Sequence, residues 1–276
     1  MNHIIEMFIK IFTVQVIRYC VIAGVPFVVC YLLLSKWLSK AKIQTKKATS
    51  VDFWREILHS MQTTVVFTIV GIIIFYTPLK QYTHVYTRIS DYPIWWFWLS
   101  VVISFVLHDT YFYWMHRLLH HPKLFRLAHL LHHKSTNPSP WTSYSFHFFE
   151  ACTEAVILFL VVFIMPVHPL NILLFTVGGF MINVYGHLGY EILPKRFIKS
   201  PLFKFLNTSV YHNQHHKKFN GNYSLYFRFW DRLMGTECPD YEQEFKRVQQ
   251  NRFSSKVETD TTQLSPSILN NHLVID

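Results

Sequence analysis

Three stretches of the chain crowd histidines at spacings that suit metal coordination. They are HRLLHH (His116, His120 and His121), HLLHH (His129, His132 and His133) and HNQHH (His212, His215 and His216). On a helix, residues three and four apart leave the same face, so His116 pairs with His120, and each H-x-x-H-H motif turns its rings to one face, with the adjacent His132 and His133 diverging slightly. Neutral imidazole is a nitrogen donor for iron, copper, nickel and zinc. The eight rings at 116, 120, 129, 132, 133, 212, 215 and 216 exceed the shell of a single ion, so the set implies two. Buried together without a cation, they would leave many polar nitrogens without partners. Asp109, Glu150, Glu154 and Glu191 are the nearby carboxylates, candidates to accept the outer N–H of a ligating ring. His3, His59, His84, His168 and His272 stand alone and read as ordinary polar side chains, and His108 and His121 read as structural.

The elements that must carry these motifs are apolar. The chain has 276 residues, 51% hydrophobic, 17% aromatic and only 15% charged, against about 25% charged in a soluble domain. This predicts an integral membrane protein. The net charge of +10 comes from lysines and arginines that flank apolar blocks, which suits lipid headgroups and excludes nucleic acid as the partner. Cys20, Cys30, Cys152 and Cys238 form no C-x-x-C pair, so no disulfide framework and no thiolate metal site is expected.

Residues 1–17 alternate apolar and polar and read as a helix lying in the membrane interface. Residues 19–35, 61–79 and 92–108 each approach the length of about 20 residues that crosses a bilayer. Arg18 interrupts the first apolar run, which reads as a retained span and not as a removable leader. Residues 155–186 hold no charged residue in 32 positions, with Pro166 and Pro169 near the centre, and read as a tight hairpin of two short helices. The expected fold is all-α and polytopic, with four or five membrane-crossing helices and a cytosolic, histidine-rich helical cap. Its regions are a membrane part over 1–94, a catalytic domain over 95–240 and a polar, flexible tail over 241–276. Lys36, Lys40, Lys42, Lys46, Lys47 and Arg55 follow the first span, whereas only Lys80 and Arg88 follow the second. The positive-inside rule then puts every histidine motif on the cytosolic face.

HDTYFYWMHRLLHH (108–121), HLLHHKSTNP (129–138), YSFHFFEA (144–151), GHLGYEILP (186–194) and HNQHHKKFNGNYSLYFRFWDRLMGT (212–236) occur in this order. They resemble the fatty acid hydroxylase/sterol desaturase superfamily of integral-membrane di-iron oxygenases. The resemblance covers roughly residues 95–240. It implies hydroxylation or desaturation of a lipid C–H bond by O2, two iron ions as cofactor, and a separate electron donor of cytochrome b5, ferredoxin or reductase type. By position it assigns metal ligation to the eight histidines above. It adds His187, the single histidine after the second hairpin of the sterol-type members. It also adds His147, which falls where those members have a histidine before Pro, although Phe148 stands here in place of that Pro. The chain has no fused cytochrome b5 domain, and its third region lacks the second histidine of fatty acid 2-hydroxylases, which places it nearer the sterol desaturases. The membrane implied is a bacterial inner membrane or the endoplasmic reticulum. The residues alone also admit a zinc-dependent membrane lipid hydrolase, or a non-enzymatic metal transporter or storage protein. The transporter would need ionisable residues within the spans, whereas the clusters flank them.

Overall fold

A computed structural model describes residues 2–46 and 48–254. Helices dominate, and among the described residues the β pairing is limited to isolated bridges. In chain order the α-helices are α1 (Asn2–Phe27), α2 (Ser50–Tyr76), α3 (Ile94–Leu119), the turns α4 (Pro122–Leu124) and α5 (Leu130–His133), α6 (Phe148–Ile164), α7 (Pro169–Gly186), α8 (Ser209–Lys218), the short α9 (Phe229–Leu233), and α10 (Tyr241–Phe253). Four stretches are long and apolar enough to cross a membrane: His3–Leu33, Ser50–Tyr76, Ile94–Leu119 and Pro169–Gly186. The chain is therefore a multi-pass membrane protein of the all-α class.

Local chemistry sets the helix ends. Thr49 and Asp52 form a capping box at the start of α2, with the Asp52 amide donating to Thr49 Oγ1 (3.3 Å) and the Thr49 amide to Asp52 Oδ2 (2.9 Å). Pro78 closes the same helix. Pro93 precedes α3, whose first turns expose Trp95 and Trp98, as an interfacial aromatic belt requires.

The N-terminus differs from expectation. The interface helix over 1–17 and the span over 19–35 are one element, which runs on from α1 through a π-helical turn at Val28–Leu33. No Gly or Pro occurs before Gly24 to stop it, and in lipid the backbone polar groups must be paired within the helix. Arg18 therefore sits midway along it. The apolar block 155–186 does break at Met165–His168. Its two helices are connected as a hairpin, but α6 packs on α2 and α3 while α7 packs on α3 and α1, which leaves room between them.

Trp96 Nε1 donates to the Pro166 carbonyl (3.0 Å), and the Tyr86 amide to the Val167 carbonyl (3.1 Å). The turn between α6 and α7 thus lies against the connection between α2 and α3. His168 is held there, with Nε2 donating to the Thr87 carbonyl (3.1 Å), at the end of the bundle opposite the histidine cap. The opposite ends of all the long helices converge on the cap. Residues 241–253, read from sequence as the start of a flexible tail, form a helix instead. Tyr241, Phe245 and Val248 of α10 pack on Phe203, Val210 and Tyr211 behind α8. These apolar positions are three to four apart, a short helical stripe inside a polar segment. The rest of that tail, 255–276, lies outside the described residues.

Candidate metal centre

Nine histidines meet at the cap in two groups. His116, His120, His129, His133 and His215 form one, and His132, His187, His212 and His216 the other; within each group the ligand atoms lie within 4.8 Å of one another. The helical repeat explains the division. Residues i and i+4 differ by about 40° around a helix, whereas i+3 and i+4 differ by about 100°. In HLLHH, His129 and His133 therefore face one group while His132 turns to the other. In HNQHH, His212 and His216 stay together while His215 crosses back. The i, i+4 pair His116 and His120 completes the first group, and His187, just past the end of α7, completes the second.

The outer nitrogens fix the chemistry of the inner ones. Nδ1 donates to a backbone carbonyl in five rings: His116 to Tyr223 (2.7 Å), His132 to Ser145 (3.3 Å), His187 to Asn183 (2.8 Å), His215 to Gly221 (2.7 Å) and His216 to Ser135 (3.1 Å). In His129 it donates to Glu150 Oε1 (2.8 Å). A carbonyl can only accept, so each of the five rings bound to one carries its proton on Nδ1 and, when neutral, leaves a bare lone pair on Nε2.

Those lone pairs point at one another. Nε2 of His187 lies 3.3 Å from that of His132 and 3.2 Å from that of His216. His212 Nε2 is 3.0 Å from His187 and 3.1 Å from His216. In the other group the Nε2 pairs His116–His129 and His120–His133 are 3.0 and 3.1 Å apart. His215 Nε2 is buried with no hydrogen-bond partner. Nitrogens bound at about 2.1 Å to one ion would stand about 3.0–3.4 Å apart, the edges of an octahedron and a tetrahedron. The donor set fits a nitrogen-bound transition metal in each group.

Burial reinforces this state. It pushes His187 and His215 down to about 4, and holds His129, His132, His133, His212 and His216 well below the usual imidazole range, with neighbouring rings adding to the effect. His120 is lowered by the same causes. Neutral rings are the ligand form.

His147 lies outside both groups. It caps the start of α6, where its Nδ1 accepts the Phe149 amide (3.4 Å). His121 caps α4, and His108 Nδ1 pairs with the Tyr226 hydroxyl (2.9 Å) deeper in the bundle. Of the carboxylates, Glu150 alone among the four orients a ring of the two groups. Asp109 accepts the amides of Leu225, Tyr226 and Phe227 (3.2, 2.6 and 3.2 Å), and Glu191 accepts the Tyr185 hydroxyl (2.8 Å).

Two further carboxylates support the centre, of which Glu56 gave no signal in the sequence. Glu56 accepts the hydroxyls of Ser135 (2.7 Å) and Ser139 (2.6 Å), pinning the loop whose Ser135 carbonyl orients His216. Asp231 accepts the amides of Tyr223 (2.9 Å) and Ser224 (2.8 Å), pinning the carbonyl that orients His116. Asn220-Gly221-Asn222 is a turn-forming sequence, and it makes a turn. Its use is not legible in the sequence: Gly221, at φ +78°, offers its carbonyl to His215, and a Cβ there would lie 2.7 Å from the Thr236 carbonyl oxygen.

An apolar cavity of about 360 Å³ lies among α1, α2, α3, α6 and α7. Two of its lining rings reach the histidines: Phe112 is 4.9 Å from the His116 ring and Phe146 is 5.2 Å from that of His132.

Comparison with known proteins agrees with this geometry. The family model described as Fatty acid hydroxylase matches residues 101–236. Lathosterol oxidase of Rattus norvegicus is 32% identical over 187 residues, 66% of this chain and 60% of its own. The Delta(7)-sterol 5(6)-desaturase erg31 of Schizosaccharomyces pombe is 30% identical over 221 residues, 79% of this chain and 71% of its own. The very-long-chain aldehyde decarbonylase GL1-6 of Oryza sativa subsp. japonica is 30% identical over 182 residues, 62% of this chain and 28% of its own. The chain thus spans 60% of the length of the lathosterol oxidases it matches. No solved structure matches it.

Proposed function

We propose, from the premise that this chain belongs to the fatty acid hydroxylase family, that it is a membrane oxygenase hydroxylating or desaturating a lipid C–H bond. The observation that carries this reading is the meeting of two neutral imidazole clusters with an apolar cavity set among the helices of the bundle. A hydrolase acting on lipid headgroups would need its centre open to water, whereas here Phe112 and Phe146 set hydrocarbon against the ligating rings. Relatives named for lathosterol and Δ7-sterols support a sterol or a lipid of similar build as substrate.

Five histidines would hold one iron ion and four the other, with His187 counted among the ligands and His147 left outside as a helix cap. Bound iron would supply the activation of dioxygen that an unreactive C–H bond calls for. The protein contributes position and dryness. Five carbonyls and Glu150 hold Nδ1 of six of these nine rings and aim their Nε2 inward. The apolar wall admits an alkyl or ring carbon and keeps bulk water out. Electrons would come from a separate donor protein.

The basic residues Lys36, Lys40, Lys46 and Arg55 lie at the histidine end of the bundle, and Lys80 and Arg88 at the other. That bias supports a cytosolic metal site, in a bacterial inner membrane or the endoplasmic reticulum. The test is metal analysis of active protein in detergent, together with lipid oxidation followed with and without O2. Iron in both clusters and oxygen-dependent turnover are expected. Zinc in active protein, or turnover without oxygen, would return the centre to the hydrolase reading.

A further inference from the structure

Among the residues lining the cavity, Arg18 is the one lysine or arginine. It stands midway along His3–Leu33, about 22 Å from either end at the helical rise. Its partners are neutral. Nη1 donates to Thr176 Oγ1 (3.4 Å), Nη2 donates to Gln15 Oε1, and a further hydrogen bond links it to Tyr144. Its Nε is buried without a partner. Among the described residues Arg18 forms no ion pair, and neither does Glu154, the one carboxylic acid on the cavity wall. A permanent cation at hydrocarbon depth without a counter-charge is expensive, and such residues mark ligand or ion sites. Arg18 also lies outside residues 101–236, so the family match assigns it nothing.

We propose that the cavity takes an amphiphile with an anionic end group, a carboxylate or a sulfate, paired with Arg18, and with its apolar body running toward Phe112 and Phe146. The proposal deepens the oxygenase reading and rests on it for which end of the ligand reacts. Thr176, which fixes the guanidinium, is eleven residues before His187 on α7, about 16 Å along the axis. The carbon presented to the metal centre is thus remote from the anionic group, on the scale of a long acyl chain or a sterol skeleton with its side chain. A cavity of about 360 Å³ is at the small end of ligand sites, so it accepts one chain or one ring system and not a two-chain phospholipid.

The test is equilibrium binding to the full chain, purified in nonionic detergent with its metal. Palmitate is compared with hexadecanol, and cholesterol sulfate with cholesterol. At least one anion should bind about tenfold more tightly than its neutral twin, as one well-placed ion pair provides. Whichever anion does so identifies the body as chain or ring. Arg18→Gln should abolish the preference while leaving the neutral twin's affinity unchanged, and Arg18→Lys should keep most of it. Equal binding of both twins by the unaltered protein overturns the proposal without reference to any variant, as does a preference that survives in Arg18→Gln. Metal content is measured on the same samples. A preference found in protein that lacks iron would leave this site standing and sink the oxygenase reading instead.

Discussion

Replacing Glu150 tests the centre one ion at a time. Of the six hydrogen bonds that orient ligating rings through Nδ1, five end on backbone carbonyls and one on a side chain, the 2.8 Å contact from His129 to Glu150. Glu150→Leu keeps approximate volume and removes the acceptor. The His129 ring then has a buried donor without a partner and no restraint on its rotation. Loss of such an outer partner typically lowers metal affinity by about 10–100-fold, or about 1.4–2.7 kcal/mol. His129 belongs to the five-membered group and not to the four-membered one, so the loss should fall on one ion. Glu150→Gln places an amide oxygen where the carboxylate was. Its amide oxygen can still accept from Nδ1, so the ring should keep most of its restraint. The assay is iron retained against increasing chelator, followed by both metal content and absorbance. Two release steps are expected, of which Leu moves one to 10–100-fold lower chelator and Gln moves the same step much less. If both steps shift together, if neither shifts, or if Gln matches Leu, then Glu150 does not act through His129.

Three further outcomes are expected. His187→Gln should lower iron content and activity, because its Nε2 stands 3.0–3.3 Å from three other ligand nitrogens, whereas His168→Gln, at the far end, should change neither; full iron in His187→Gln would remove it from the site. The metal-stripped protein should lose stability as pH falls from about 6.5 toward 4: in that window the unfolded chain protonates His187 and His215 while the folded chain, with both held near 4, does not. Each contributes up to about 3 kcal/mol, and a melting temperature in detergent that stays flat between about pH 7 and 5 would contradict it. Cysteines introduced at the exposed Lys134 and Asn220 should be labelled from the cytosol and one at Gln81 from the other side; labelling of Lys134→Cys and Asn220→Cys from opposite sides would separate the two histidine motifs and dismantle the shared centre.

The histidines were legible because helical spacing is a local property. His116 with His120, and each H-x-x-H-H motif, announce a shared face in the sequence itself. The long spans were legible for a similar reason, since about 20 apolar residues have few other uses. What escaped was non-local. The division of each H-x-x-H-H motif between two groups follows from the 100° between neighbouring rings, but only the packing of α5 against α8 reveals which ring goes where. Asp109 and Glu150 look alike as carboxylates near histidines, yet one binds three backbone amides and the other a ligating ring. The reading of 1–17 as a separate element failed at Arg18, whose charge looked like a boundary. Inside the bundle that charge is hydrogen-bonded to Gln15 and Thr176, and the helix runs through it. The stripe at Tyr241, Phe245 and Val248 was too short to stand out from its polar surroundings, and only Phe203 and Tyr211 give it a surface to cover.

Because five of the six orienting contacts end on main-chain oxygens, the centre is insured against one kind of genetic change and defenceless against another. Replacing the side chain of Ser145 or Tyr223 leaves its carbonyl in place, so those positions can change without removing the contact that steers a ring. Adding or deleting one residue between 135 and 145, or between 219 and 223, carries a carbonyl out of register and swings the ring it steers. Descendants of this chain should therefore hold those loops to one length, and keep Ser135, Ser139 and Gly221 among the letters held fixed.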